Sequence, residues 1–133
     1  MSDISCLVSA VGRRKDAVAR VKVFDGNGRI MVNDMTINEY LCGLERLKKL
    51  ALRPMSVWEG VRSYDFFVNV NGGGVSGQAG AISHSLSRAI LKLNEASRTI
   101  LKKEGLLTRD SRMVERKKSG RPKARKRFQF SKR

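Results

Sequence analysis

The side chains best suited to chemistry in this sequence are cations and aromatics gathered near its end. Residues 108–133 carry twelve basic side chains, Arg109, Arg112, Arg116, Lys117, Lys118, Arg121, Lys123, Arg125, Lys126, Arg127, Lys132 and Arg133, against only Asp110 and Glu115. Almost nothing apolar lies between Val114 and Phe128. A segment of this composition cannot bury enough surface to offset the entropy of ordering itself, so it orders on a partner that supplies negative charge. Guanidinium and ammonium groups meet phosphate oxygens without reading sequence, and the rings of Phe128 and Phe130 can stack on bases. Nucleic acid is the partner that fits. An address tag or histone-like arm would not need Gly120, Pro122 and two phenylalanines among its charges. Fully extended, the segment reaches roughly 85 Å at about 3.3 Å per residue, far enough to thread into a folded RNA.

Two further motifs could meet phosphate. Gly12-Arg13-Arg14-Lys15 places three cations between two expected strands, where they would project from a loop. In a chain this basic they read as RNA-backbone contacts more than as a solvated charge run. Gly72-Gly73-Gly74-Val75-Ser76-Gly77-Gln78 joins an expected strand to a helix N-terminus. Such a loop suits a phosphate, since glycine permits close approach and the first helical N–H groups favour an anion. It equally suits a tight turn with no ligand. Small-molecule kinases also carry a glycine-rich strand-to-helix loop, but here there is no Walker Lys-Ser/Thr pair and no nearby carboxylate spaced for magnesium. Other candidates read as structural. His84 lies between serines with no acid or nucleophile at useful spacing, Arg88 and Lys92 read as solvated, and Trp58 and Tyr64 read as core edge. Cys6 and Cys42 lack metal-ligand spacing and are expected to be buried, reduced thiols. No catalytic constellation, metal site, cofactor site or small-molecule substrate site emerges.

The elements that must position these groups follow from periodicity. Residues 5–11 read as a first strand. Residues 17–24 read as a second, with Ala17, Ala19, Val21 and Val23 on one face and Arg20 and Lys22 on the other. Asp25-Gly26-Asn27-Gly28 is a hairpin signal leading to a third strand over residues 29–33. Thr36 and Glu39 form a capping box for a short helix ended by Gly43, and residues 44–52 are amphipathic up to a break at Pro54. Residues 64–71 read as the fourth strand, with Phe66, Val68 and Val70 inward. Residues 78–94 read as a long helix with Ala79, Ile82, Leu86, Ala89 and Leu93 on one stripe. Ser97 is expected to cap a last short helix ending at Gly105. The expectation is a two-layer α+β fold in the order βββαβα, a four-stranded sheet with helices on one face and an open face bearing Arg20, Lys22, Phe67 and Asn69.

The 133 residues leave room for one domain, residues 1–107, and an extended basic tail, residues 108–133. The formal charge of +16 divides into +6 from sixteen basic and ten acidic residues in the first part and +10 in the second. No run is apolar enough to span a membrane, and Met1-Ser2-Asp3 does not open like an export signal.

Three motifs in order together resemble a known family. Gly12-Arg13-Arg14-Lys15-Asp16-Ala17-Val18-Ala19-Arg20 comes first, then Gly72-Gly73-Gly74-Val75-Ser76-Gly77-Gln78-Ala79-Gly80. The last comprises Glu115-Arg116-Lys117-Lys118, Lys123-Ala124-Arg125-Lys126-Arg127 and Ser131-Lys132-Arg133. Together they are similar to bacterial-type small-subunit ribosomal protein nine. The resemblance implies the same two-layer fold with a long extension and a non-enzymatic role in the head of the small subunit. Its rRNA contacts would come from Arg13, Arg14, Lys15, Gly72, Gly73, Gly74 and the tail cations from Arg109 to Arg127. It implies docking on the 3′ major domain of the rRNA beside other head proteins, with Ser131, Lys132 and Arg133 reaching the peptidyl-site tRNA. The setting would be a cytoplasmic ribosome, with a plastid ribosome left open. The protein subunit of ribonuclease P is the main alternative, but its expected Arg-Asn-Arg-type helix is missing and the long extension does not belong to it.

Overall fold

A computed structural model describes residues 5–132. Five strands form one mixed sheet in the order β1-β2-β5-β3-β4: β1 Val8–Arg14, β2 Ala17–Asp25, β3 Ile30–Val32, β4 Met35–Thr36 and β5 Tyr64–Asn71. Four helices accompany it, α1 Ile37–Tyr40, α2 Glu45–Val57, α3 Val75–Leu93 and α4 Arg98–Lys103. The fold is α+β, with one strand more than periodicity predicts and a different strand order. No helix is long and apolar enough to cross a membrane among the described residues.

The main change concerns the loop after β2. Asp25-Gly26-Asn27-Gly28 does not make a β2–β3 hairpin, because β5 lies between those strands, antiparallel to β2 and parallel to β3. The loop crosses the start of β5 instead. Two strand spacings are about 9.6 Å, within the reach of four residues. Gly26 and Gly28 donate to the carbonyls of Ser63 and Tyr64, and Phe66 donates to Arg29. Asp65 closes the crossing by accepting the N–H groups of Asn27 and Arg29, at 2.9 and 3.0 Å. Those bonds, led by the one from Arg29, hold its carboxyl below the ordinary range. At Gly26 a Cβ would fall 2.1 Å from the Asp65 carboxyl carbon, which is why glycine stands there.

The additional strand follows from Asn33 and Asp34, whose φ of 48° and 65° place both in the left-handed region used by a two-residue hairpin between β3 and β4. The side chain of Asn33 then extends the sheet. Its Oδ1 accepts from Val70 N–H at 2.9 Å and its Nδ2 donates to the Val70 carbonyl at 3.1 Å, pairing β5 beyond the end of β3. At β4 the chain turns into α1 through Thr36, whose capping box with Glu39 is formed as expected.

Residues predicted to face inward do so. Ala17, Ala19, Val21, Val23, Phe66, Val68 and Val70 of the sheet are buried with Ala79, Ile82, Leu86 and Ala89 of α3. On the other face Arg20, Lys22, Phe67 and Asn69 are exposed. A smaller cluster of Ile90, Leu101 and Leu106, with Met55 and Trp58, closes α4 over the far side of the helices. Trp58 stacks on Tyr64 at 5.9 Å. Two readings fail in detail. The helix α2 runs through Pro54, whose fully buried ring offsets the one lost backbone bond in the last turn. Cys6 and Cys42 are both exposed free thiols. Cys6 precedes β1 and Cys42 sits at φ 54° just after α1, so neither is on a core-facing position.

Candidate nucleic-acid interface

The first basic motif is not a loop. Gly12, Arg13 and Arg14 complete β1, which begins and ends three residues later than the apolar run predicts, and only Lys15 and Asp16 form the turn to β2. Apolar periodicity missed this because β1 closes against α3 through Gly12. A Cβ at Gly12 would lie 2.1 Å from the Ser85 nitrogen, so the helix packs directly on the strand backbone. Gly80 repeats the device. The Arg14 stem crosses it, with Cδ where a side chain would stand.

Across from this turn lies the glycine loop. Gly72 and Gly73 adopt φ of 75° and 65°, and added Cβ atoms would meet the Asp16 oxygen at 2.6 Å and the Ala17 nitrogen at 3.0 Å. Both glycines are thus explained by backbone packed on backbone. Gly74 differs. With φ −93° and open space around it, it is the N-cap of α3, where no side chain caps the helix. A chain of side-chain bonds steadies the loop: Tyr40 donates to Gln78 Oε1 at 2.7 Å, and Gln78 Nε2 donates to the Gly72 carbonyl at 3.0 Å.

The root of the basic segment returns to the same place. Arg109 donates to the Lys15 carbonyl at 3.5 Å, and Asp110 lies 3.4 Å from Arg14 Nη2. Asp110 also accepts from Arg112 at Nε and Nη2, 3.0 and 2.7 Å away. Arg112, with a lesser contribution from Arg14, holds the Asp110 carboxyl well below the usual carboxylate range. The three motifs, far apart in sequence, therefore meet at one end of the sheet.

Past Lys103 the described residues form no helix or strand. Glu115 holds Lys118 at 2.6 Å and Arg125 at 3.0 Å. The half-buried Arg121 donates to the Arg125 carbonyl. Arg116, Lys117, Lys123, Lys126, Arg127 and Lys132 are exposed and make no hydrogen bond or ion pair with another described residue. Phe128 and Phe130 are exposed, at 70% and 87%. Ser131 is exposed, and Arg133 lies outside the described residues.

Arg88 and Lys92 are not simply solvated. Arg88 donates to the Val11 carbonyl at 2.5 Å and Lys92 to the Ser9 carbonyl at 2.6 Å, while Arg13 N–H donates to His84 Nδ1 at 3.3 Å. Positions 84, 88 and 92, one helical turn apart, cover 13, 11 and 9 on the free edge of β1. The signal was present in that spacing of four, but pairing it with a strand edge requires knowing that β1 is an edge. His84 is pushed below its ordinary pKa mainly by burial, with Arg88 and Arg109 adding to it and a hydrogen bond with the Leu107 backbone opposing it. Among the described residues no group of three or more His, Cys, Asp or Glu could hold a metal ion.

Comparison with known proteins finds a family model described as ribosomal protein S9/S16 matching residues 12–133. Small ribosomal subunit protein uS9 of Chlorobium phaeobacteroides is 54% identical over 127 residues, 96% of this chain and 98% of that protein. The protein of the same name from Anaeromyxobacter sp. (strain K) is 54% identical over 92% of this chain and 94% of its own length. That from Borreliella burgdorferi (strain ZS7) is 52% identical over 96% and 93%.

Proposed function

The chain belongs to the ribosomal protein S9/S16 family, and on that premise we propose that it is a structural, non-catalytic, rRNA-binding component of the small ribosomal subunit head. Residues 1–107 act as the rRNA-docking domain and residues 108–133 as an extended arm. The domain rests on the 3′ major domain of the rRNA beside other head proteins, through Arg13, Arg14, Lys15 and the glycine loop at Gly72, Gly73 and Gly74. The arm runs through rRNA by Arg109, Arg112, Arg116, Lys117, Lys118, Arg121, Lys123, Arg125, Lys126 and Arg127. Ser131, Lys132 and Arg133 reach the peptidyl-site tRNA. The setting is the cytoplasmic ribosome, or a plastid one.

The observation that carries this reading is the convergence of the Arg13–Lys15 motif, the glycine loop and the arm's root, after which come six exposed cations with no partner among the described residues. Binding should depend steeply on salt, because each phosphate neutralised releases counterions with a slope of about −0.9 in log affinity against log salt. Replacing Arg116, Lys117, Lys123, Lys126 and Arg127 by Gln should remove about four to five units of slope on small-subunit rRNA. Replacing Arg112, Lys118 and Arg125, already held by carboxylates, should remove less per residue. The full chain should co-sediment with intact small subunits in moderate salt. Absence from that fraction, or an unchanged slope in the five-residue variant, would refute the reading.

A further inference from the structure

We propose that the basic cleft enclosed by β1, α2, α3 and the start of the arm is a binding site for a single phosphate group, carried by the RNA backbone. The cleft has a volume of about 350 Å³ and is lined by Arg14, Arg53, Gly80, His84, Asp110 and Arg112 among others. Four arginines, Arg13, Arg14, Arg53 and Arg112, line it with a single carboxylate, Asp110. His84 adds no charge when neutral, and its Nδ1 is already occupied by the Arg13 N–H. The excess positive charge in a partly enclosed space selects an anion.

Arg14 supplies the specific feature. Its stem lies across Gly80, which has no Cβ to block it, and its Nε is buried without a hydrogen-bond partner among the described residues. A buried donor left unpaired is costly, and such donors normally find an acceptor. Asp110 is 3.4 Å from Nη2 and leaves Nε unanswered. A small shift of the Arg14 side chain, which is 25% exposed, would present Nε to the cleft, where an oxyanion with several acceptor oxygens can meet it and a second guanidinium at once, as phosphate does with arginine forks.

Two of the other arginines are held in place by acids. Arg53 is 3.1 Å from Glu104, and Arg112 grips Asp110 through Nε and Nη2, so each keeps further N–H donors on an anchored side chain. Anchored donors lose little freedom when the anion arrives. The sequence reading places Arg53 and His84 in no site. Only the carrier rests on the RNA-binding reading above; the site itself stands or falls on the free protein.

The test uses the full chain and inorganic phosphate at constant ionic strength, following the Arg14 Nε–H resonance by NMR. A saturable one-site shift is expected, with a dissociation constant on the order of 1 mM. Arg53→Gln should weaken it about two- to fivefold, the scale of one partly exposed charge contact, whereas Arg116→Gln on the arm should not change it. Arg53 is half exposed at its side chain, so its variant is expected to fold even if Arg14→Gln does not. A shift that chloride reproduces, or one that never saturates, overturns the site. On small-subunit rRNA, Arg53→Gln should weaken binding several-fold and lower the salt slope by about one. A phosphate response with unaltered rRNA affinity overturns RNA as the carrier and leaves free phosphate as the ligand. A phosphate response in a wild-type protein that fails to bind rRNA overturns the proposed function instead and leaves the site intact.

Discussion

At Gly72 the backbone is left-handed and a Cβ would stand 2.6 Å from a carbonyl oxygen, so a side chain is opposed by both φ and space. Gly72→Ala should therefore destabilise the free protein by about 1–3 kcal/mol. Gly74→Ala, at φ −93° in open space, should cost less, under about 1 kcal/mol, the scale of replacing glycine by alanine at an N-cap. Thermal melts and rRNA titrations of the two variants separate a structural loop from a phosphate contact. A normal melt for Gly72→Ala with weakened rRNA binding would defeat the structural account. His84 offers a second measurement, since it is the only histidine in the chain. Its neutral ring accepts the Arg13 N–H, and burial lowers its folded pKa. The unfolded chain therefore binds the proton more readily, and stability rises with pH across the histidine range. The contribution is complete above about pH 6.5, the unfolded value, and is lost as pH falls through the depressed folded one. Denaturant melts of the wild type should weaken on acidification from pH 7.5 to 5.5. His84→Gln should be flatter over that window, and a parallel profile would exclude His84 as the cause.

At the scale of elements, α3 covers the outer edge of β1. A double variant, Arg88→Ala with Lys92→Ala, returns two backbone carbonyls to solvent or to another chain. A stability loss of about 1–2 kcal/mol is expected, together with concentration-dependent association of the RNA-free protein by light scattering. A monomer that melts like the wild type would show that the edge needs no cover. This pairing also marks the limit of what was legible in sequence. Inward faces, the Thr36–Glu39 capping box and the position of β5 followed from period and side-chain type, which are local. The sheet order did not. The Asp25–Gly28 turn residues fit a hairpin locally, and only β5 arriving from forty residues onward converts that hairpin into a crossover. Pro54 failed similarly, because burial of its ring offsets a propensity that favours stopping. In the candidate site, the three motifs were visible in the sequence, while their convergence on the Lys15 turn depends on tertiary placement. Arg53 went unnoticed because α2 alone does not show that it lines the same cleft as Arg14.

Across the whole molecule, charge is divided so that the first 107 residues carry +6 and the remainder +10. Within the arm, the two acids steady its root and its first bend, and the cations past Arg125 are left without acidic partners among the described residues. The segment is thus held to the domain through the Arg14–Asp110 and Arg109–Lys15 contacts, which is the fixed end that the proposed arm requires. If the far end meets tRNA as proposed, its position matters more than its charge. Deleting Ser131, Lys132 and Arg133 removes only two of the arm's twelve cations, so assembly into small subunits should stay nearly intact. Peptidyl-site tRNA should be held less well. One exposed phosphate contact contributes up to about 1 kcal/mol, so the tRNA should leave several-fold faster. Off-rates of tRNA from subunits carrying the truncated protein, measured beside subunit yield, decide between two roles for this end. Faster release with normal yield is the expected result. Normal release with poor yield would make the end an rRNA anchor, because a contact that holds the subunit together must be made before any tRNA arrives.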